Sequence, residues 1–230
     1  MDIFQTEIFW GAFLGSLFAF LFNIFLSYVK NRNKLKFNLL KTYHLLDAYH
    51  NLTGQYKEEY ENLLNLDLGS LSEVDLKLNE TKIKEAWFEL KRKDNPFELI
   101  KLPLNEIYPL VKYYKDTLNQ ILTADLAMQS FMKLKDIRNN HYDIFLEKTE
   151  NLKDEELDPG LIKKQLGVKK YTELEDVTYN LIRHCCIASE ELEKSKKQLI
   201  ETRKKYDNWL KHLLHIACSL GKKTDQKRED

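Results

Sequence analysis

The stretch Ile8–Val29, IFWGAFLGSLFAFLFNIFLSYV, decides how the rest of this chain is read, because its 22 residues carry no charge. At 1.5 Å per residue, a helix of that length spans about 33 Å, close to the roughly 30 Å hydrocarbon core of a bilayer. Trp10 and Tyr28 stand near its two ends, where amphipathic rings favour the headgroup region. Six of the 12 Phe fall between Phe9 and Phe25, so apolar surface is concentrated here. A cleaved signal peptide fits poorly. The preceding tail carries Asp2 and Glu7 rather than a basic n-region, the apolar run is too long, and no small-residue cleavage site follows it. A transmembrane helix is the expectation, with residues 1–29 forming a short external tail and the span.

The flanks orient it. Lys30, Arg32, Lys34 and Lys36 form a basic collar on the C-terminal side, whereas the N-terminal tail has no Lys or Arg. The positive-inside rule therefore places the N-terminus outside and residues 30–230 in the cytoplasm of a single-pass protein of the inner (plasma) membrane. The collar would meet the anionic cytoplasmic leaflet. Three cysteines, two of them adjacent, make no disulfide framework and agree with a reducing compartment. The sequons at Asn51 and Asn79 then never reach a glycosylating lumen.

The span is patterned as well as apolar. Gly11, Gly15, Ala19, Asn23 and Ser27 recur every four residues as one small, partly polar stripe. Such spacing lets helix backbones approach closely, and Asn supplies interhelical hydrogen bonds in lipid. Self-association through this stripe is expected. Several copies that turned Asn23 and Ser27 inward would line a pore.

Beyond the span, composition narrows the class. The 230 residues include 36 basic and 36 acidic side chains, and zero net charge argues against a protein that coats nucleic acid non-specifically. A charged fraction of 31% excludes a polytopic transporter, and 43% apolar residues exclude a wholly disordered chain. Seven Gly and four Pro are too few for a turn-rich β fold. Leu35, Leu39, Leu46, Tyr49, Tyr56, Tyr60 and Leu63 fall at three- and four-residue steps, with Thr42 and Thr53 filling the gaps. That spacing predicts an amphipathic helix with a coiled-coil-like seam, continuous with the membrane helix and closed by Gly69-Ser70.

Residues 71–102 carry mixed signals. Val74, Leu76 and Leu78 alternate like a strand, whereas Lys84–Lys91 reads as helix. A helix followed by a loop is expected, with a small hairpin as the alternative. Asn95-Pro96 marks a turn, and Pro109 suits the first turn of a second long helix reaching about Glu150. Asp154–Gly160 is an acidic linker, and Leu161–Leu166 a short helix closed by Gly167. A last long helix is expected from about Thr172 to Ser219, its seam running from Leu174 through Leu181, Cys185, Ala188, Leu192 and Leu199 to Ile216. The fold class is therefore all-α: one transmembrane helix continuous with a cytoplasmic antiparallel bundle over residues 30–220, followed by a charged flexible tail over 221–230.

Chemistry-bearing motifs are sparse. Walker A, GxGxxG, HExxH and GxSxG patterns are absent, so nucleotide binding and the commonest hydrolase templates find no support and no cofactor is implied. His184-Cys185-Cys186 and His212/His215/Cys218 lie about 39 Å apart along one helix, so they cannot share a metal, and no metal site is expected. Arg138, Asn139 and His141 form the most suggestive cluster, since Arg and His together suit RNA cleavage with His as general acid or base. Arg-Asn followed by His late in an amphipathic helix resembles the motif of HEPN-type ribonucleases, themselves helical bundles. The family places four to six residues between Arg and His, and this chain places two. The alternative is a polar or interhelical hydrogen-bonding cluster, which the spacing favours.

The layout as a whole resembles the small membrane-anchored effectors of prokaryotic antiviral systems, including accessory proteins that accompany RNA-targeting CRISPR nucleases. The resemblance implies a bundle that oligomerises, gathers the N-terminal helices and permeabilises or depolarises the membrane. Its implied partners are the lipid bilayer, further copies of the same chain and a cytoplasmic protein or RNA. A membrane-tethered HEPN-like ribonuclease and a non-catalytic scaffold or adaptor are the alternatives.

Overall fold

The computed structural model describes residues 2–88, 90, 102, 108, 114–149 and 159–226, with side chains over 10–88, 90, 102, 108, 114–149, 160–205 and 208. All regular structure among them is helical. Helix α1 runs unbroken over Asp2–Leu64, about 95 Å, so the apolar stretch and the amphipathic helix that follows it are one rod. It is long and apolar enough to cross a membrane. The short α2 (Glu73–Leu78) and α3 (Glu80–Glu85) follow. The long α4 (Lys115–Thr149), the short α5 (Pro159–Leu166) and the long α6 (Val168–Gln226) complete the order.

The N-terminal and C-terminal halves of the rod are built differently. From Trp10 to Tyr28 each residue is exposed, Phe18 to 69%. From Asn38 onward a buried seam appears: Asn38, Leu39, Thr42, Leu46, Tyr49, Thr53, Tyr56, Tyr60 and Leu64. The three- and four-residue steps are the ones the sequence pattern predicts, with Leu64 rather than Leu63 ending it. The helix stops at Leu64 rather than at Gly69-Ser70. Asn65 adopts a left-handed backbone (φ 48°), and the Leu66 N–H closes onto the Glu61 carbonyl at 3.2 Å.

Ser72 then starts α2. Its hydroxyl accepts from the Asp75 N–H at 3.3 Å while its own N–H donates to the Asp75 carboxylate at 2.9 Å, a reciprocal cap. The Val74/Leu76/Leu78 alternation is thus helix, not strand: Leu76 is buried, and Val74 and Leu78 stand 68% and 78% exposed. A turn of helix needs only one inward residue in three or four, which this triplet supplies. In α3, Lys84 pairs with Glu80 and, across to α6, with Asp176, both at 2.7 Å. The turn at Asn95-Pro96, the apolar stretch 97–101, the placement of Pro109 and the acidic residues 154–158 lie outside the described residues.

Helix α6 is the common partner of the bundle. Asp47 of α1 pairs with Lys196, and the Cys185 thiol donates to the Thr53 carbonyl at 3.6 Å, so α1 and α6 are antiparallel. Thr117 and Thr202 share a buried hydroxyl contact at 2.6 Å, and Gln120 donates to Glu191 at 2.7 Å, so α4 also opposes α6. The main core lies along these three helices, where Leu46, Met128, Phe131, Ile182 and Leu192 are fully buried. A second cluster gathers Trp87, Phe145, Ile162, Leu166, Tyr171 and Leu174 at the far end. There the Trp87 ring meets Phe145 and Tyr171 edge-on at 5.2 and 5.5 Å. Gly167 takes a positive φ of 82° and donates to the Lys163 carbonyl, which turns α5 into α6. At its other end α6 continues to Gln226, beyond the Ser219 expected from the pattern and into the segment read as a tail.

Candidate functional site

Two groups of residues stand out as places where this chain can act: the exposed stripe on α1 and the cluster around Arg138.

The stripe residues Gly11, Gly15, Ala19, Asn23 and Ser27 are all exposed, and a Cβ built at Gly11 or Gly15 meets nothing within 4 Å. Because α1 is a single rod, the direction of the stripe is fixed relative to the bundle. At ~100° per residue, it is centred roughly 145° around the helix from the buried seam. The small-residue face therefore points away from α4 and α6 and is open to another helix. On the C-terminal extension of that face stand Phe37, 66% exposed, and Leu40, 37% exposed. The collar residues Lys30, Lys34 and Lys36 are exposed, and Arg32 is half-buried.

The Arg138 cluster is built differently. Arg138 is only 2% exposed. Its guanidinium donates to the carbonyl of Trp87 at 3.0 Å and to that of Leu90, and it lies 4.6 Å from the centre of the Tyr142 ring. These contacts tie the segment after α3 to α4. Burial lowers the Arg138 pKa from its ordinary value, with Tyr142, Tyr60 and Glu59 acting in the opposite sense, and a guanidinium stays charged regardless. Asn139 and His141 are half-buried beside it. The geometry thus gives the Arg a fold-stabilising task, as expected of an interhelical hydrogen-bonding cluster.

Sequence reasoning missed a second buried cation. Lys135, one turn before Arg138, is also 2% exposed. Its ammonium donates to the Tyr56 hydroxyl at 2.5 Å and sits 4.8 Å from that ring's centre. The signal was present: Met128, Phe131/Met132, Lys135 and Arg138 step along one face of α4 at intervals of three and four. Reading a helix face by apolar identity alone passes over Lys135. Lys135, Arg138, Tyr56, Tyr60, Glu59 and Asn139 line a cavity of about 20 Å³, room for a single water. Burial raises the Tyr60 pKa well above its ordinary value and pushes Tyr56 up to about 12, so both phenols remain neutral.

The cysteines adjoining His184 lie on α6. Burial pushes the Cys185 thiol far up and Cys186 up to about 11, so neither is a thiolate nucleophile near neutral pH. Among the described residues, no group of three or more His, Cys, Asp and Glu is placed to hold a metal ion. The side chains of His212, His215 and Cys218 lie outside them.

The described residues form an all-α fold in which α1 is long and apolar enough to cross a membrane. No protein-family model, curated protein or solved structure matches the chain.

Proposed function

We propose that this chain is a single-pass inner-membrane protein that self-associates through the α1 stripe and acts as a membrane-permeabilising or depolarising effector, with its N-terminus outside and its bundle in the cytoplasm. The observation that carries the reading is the exposed small-residue face, aimed away from the bundle on an unbroken rod. A second copy meets that face without displacing α4 or α6. Exposed Asn23 and Ser27 on it would give gathered copies a partly polar lining. The basic collar supports the orientation, and the resemblance in layout to membrane-anchored antiviral effectors supports a role in defence.

The test uses the full chain. Detergent-solubilised particles are sized and proteoliposomes are assayed for ion leakage, for the parent chain and for Gly15→Leu and Asn23→Leu. The open space around Gly15 lets Leu fit the isolated chain, so its effect reports on association rather than on folding. Expected are particles several times the 27.4 kDa chain, with leakage lost in both variants while insertion and helicity persist. A monomeric parent particle, or variants that leak like the parent, overturns the reading. If Arg138→Ala instead abolishes RNA cleavage by a chain that does not leak, the membrane-tethered ribonuclease takes its place.

A further inference from the structure

The side of α1 that carries the stripe continues past the apolar stretch, and its charge there has one sign. At ~100° per residue, Lys30, Lys34 and Lys41 fall within about 60° of the stripe's centre, and all three are exposed. Phe37, Leu40 and His44 share that side and are exposed as well. Farther along come Ala48, Asn51 and Gln55, again exposed.

Acidic residues avoid this side. Between Trp10 and Lys57 the only acid is Asp47. It lies about 80° from the stripe's centre and is paired with Lys196 of α6. Asp2 and Glu7, ahead of the apolar stretch, fall about 100° and 120° away from it. From Gly11 to Gln55, about 66 Å of rod, the stripe's side therefore carries Lys30, Lys34 and Lys41 and no carboxylate.

We propose that the pore formed by gathered α1 rods conducts anions in preference to cations, with Lys30, Lys34 and Lys41 as the charged lining of its mouth on the bundle side. This rests on self-association through the stripe and on leakage through the resulting assembly, and it adds the class of ion that passes. The collar then divides by helix phase. Exposed Lys36 stands about 100° from the stripe's centre, where anionic lipid around an assembly meets it. Lys30 and Lys34 stand on the side that gathered copies turn inward. Lys41 lies about 18 Å past Val29, beyond a headgroup layer of about 5–8 Å, so it serves the mouth rather than the lipid. The lysines are spaced by about 6 and 10 Å along the rod, comparable to the ~8 Å screening length at physiological salt, so their potentials overlap. A lumen walled by protein and lipid focuses that field, which concentrates small anions such as chloride and repels potassium. Within the apolar stretch, Asn23 and Ser27 offer neutral amide and hydroxyl donors to a passing anion.

The full chain is reconstituted into planar bilayers of phosphatidylcholine, a lipid without net charge, and currents are recorded across a KCl gradient. The reversal potential gives the chloride-to-potassium permeability ratio. For the parent chain a ratio several-fold above one is expected. Lys34→Glu/Lys41→Glu should bring the ratio below one while current persists, since Lys30, Arg32 and Lys36 still set the topology. Lys34→Gln/Lys41→Gln should fall between the two. Lys204→Glu/Lys205→Glu makes the same change in charge at exposed positions of α6, which packs on the opposite side of α1, and should keep the parent's ratio. A parent ratio at or below one overturns the proposal and leaves the permeabilising reading standing. So does a ratio that the Lys34/Lys41 variants leave unchanged, or that Lys204→Glu/Lys205→Glu lowers equally. A parent chain that inserts and passes no current removes the pore itself, and with it both this proposal and the membrane function.

Discussion

Replacing Arg138 with Ala separates a structural arginine from a catalytic one. In the folded chain its buried guanidinium satisfies the carbonyls of Trp87 and Leu90 and packs on the Tyr142 ring. Removing it leaves two buried acceptors, each costing about 1–3 kcal/mol when unpaired. It also forfeits a cation–π contact of about 0.5–2 kcal/mol. Two effects act the other way. The desolvation of one buried cation, worth several kcal/mol in general, is relieved. The adjoining cavity also has room for a water that rescues one carbonyl. The net expectation is a loss of about 2–4 kcal/mol, which for a domain of this size lowers the melting temperature by about 5–15 °C. Thermal unfolding followed by helical circular dichroism in detergent measures it. Because Trp87 shares a cluster with Phe145 and Tyr171, its fluorescence should report the same transition at a lower temperature. Arg138→Lys should recover only part of the loss, since an ammonium lacks the planar fork that spans two acceptors. His141→Ala, at a half-buried position, should cost under about 1 kcal/mol. A melting temperature for Arg138→Ala within a degree of the parent would refute the structural reasoning, all the more so if it came with a lost catalytic activity.

Two other perturbations test the bundle. His50 and His184 both have folded-state pKa values lowered from 6.5, chiefly by burial. Both are neutral and without effect well above that value. As pH falls, the unfolded chain takes up protons first, so stability is lost from about pH 7 downward until the folded-state values are passed. Melting curves across that window should show the loss, and a His50→Gln/His184→Gln chain should show a flatter profile; an unchanged profile would mean that other groups carry it. The Thr117–Thr202 contact pins the start of α4 to α6. Thr117→Val or Thr202→Val should each cost about 1–3 kcal/mol by stranding the other hydroxyl, and the double variant less than their sum. Strict additivity in a double-mutant cycle would show that the two hydroxyls do not interact.

Much of the fold was legible before any coordinates. The apolar stretch of α1 announced itself by the absence of charge between Ile8 and Val29, and the α1 seam from Leu39 to Tyr60 by its spacing. Both patterns are local, set by helix geometry and the cost of burying or exposing one face. Reading failed where a short segment borrows its conformation from its surroundings. Val74-Asp-Leu-Lys-Leu78 has a period of two, yet the Ser72–Asp75 cap and a single buried Leu76 make it helix. The burial of Lys135 and the partners of Arg138 on α4 were not legible, because charge implies exposure unless partners are supplied. Those partners, Tyr56 and the carbonyls of Trp87 and Leu90, come from 48 to 79 residues away in the chain.

The sequence by itself determined that this chain is helical, that one stretch of it is long and apolar enough to cross a bilayer, and that a small-residue stripe runs along that stretch. Composition and periodicity suffice for such statements because they concern one helix and its solvent. Only the tertiary structure decided which way the stripe faces, and that α6 runs antiparallel to α1. It also decided that Arg138 is spent holding the bundle together. Each of these depends on the phase and register between helices, which is fixed by contacts such as Asp47–Lys196 and Thr117–Thr202 between residues remote in the chain.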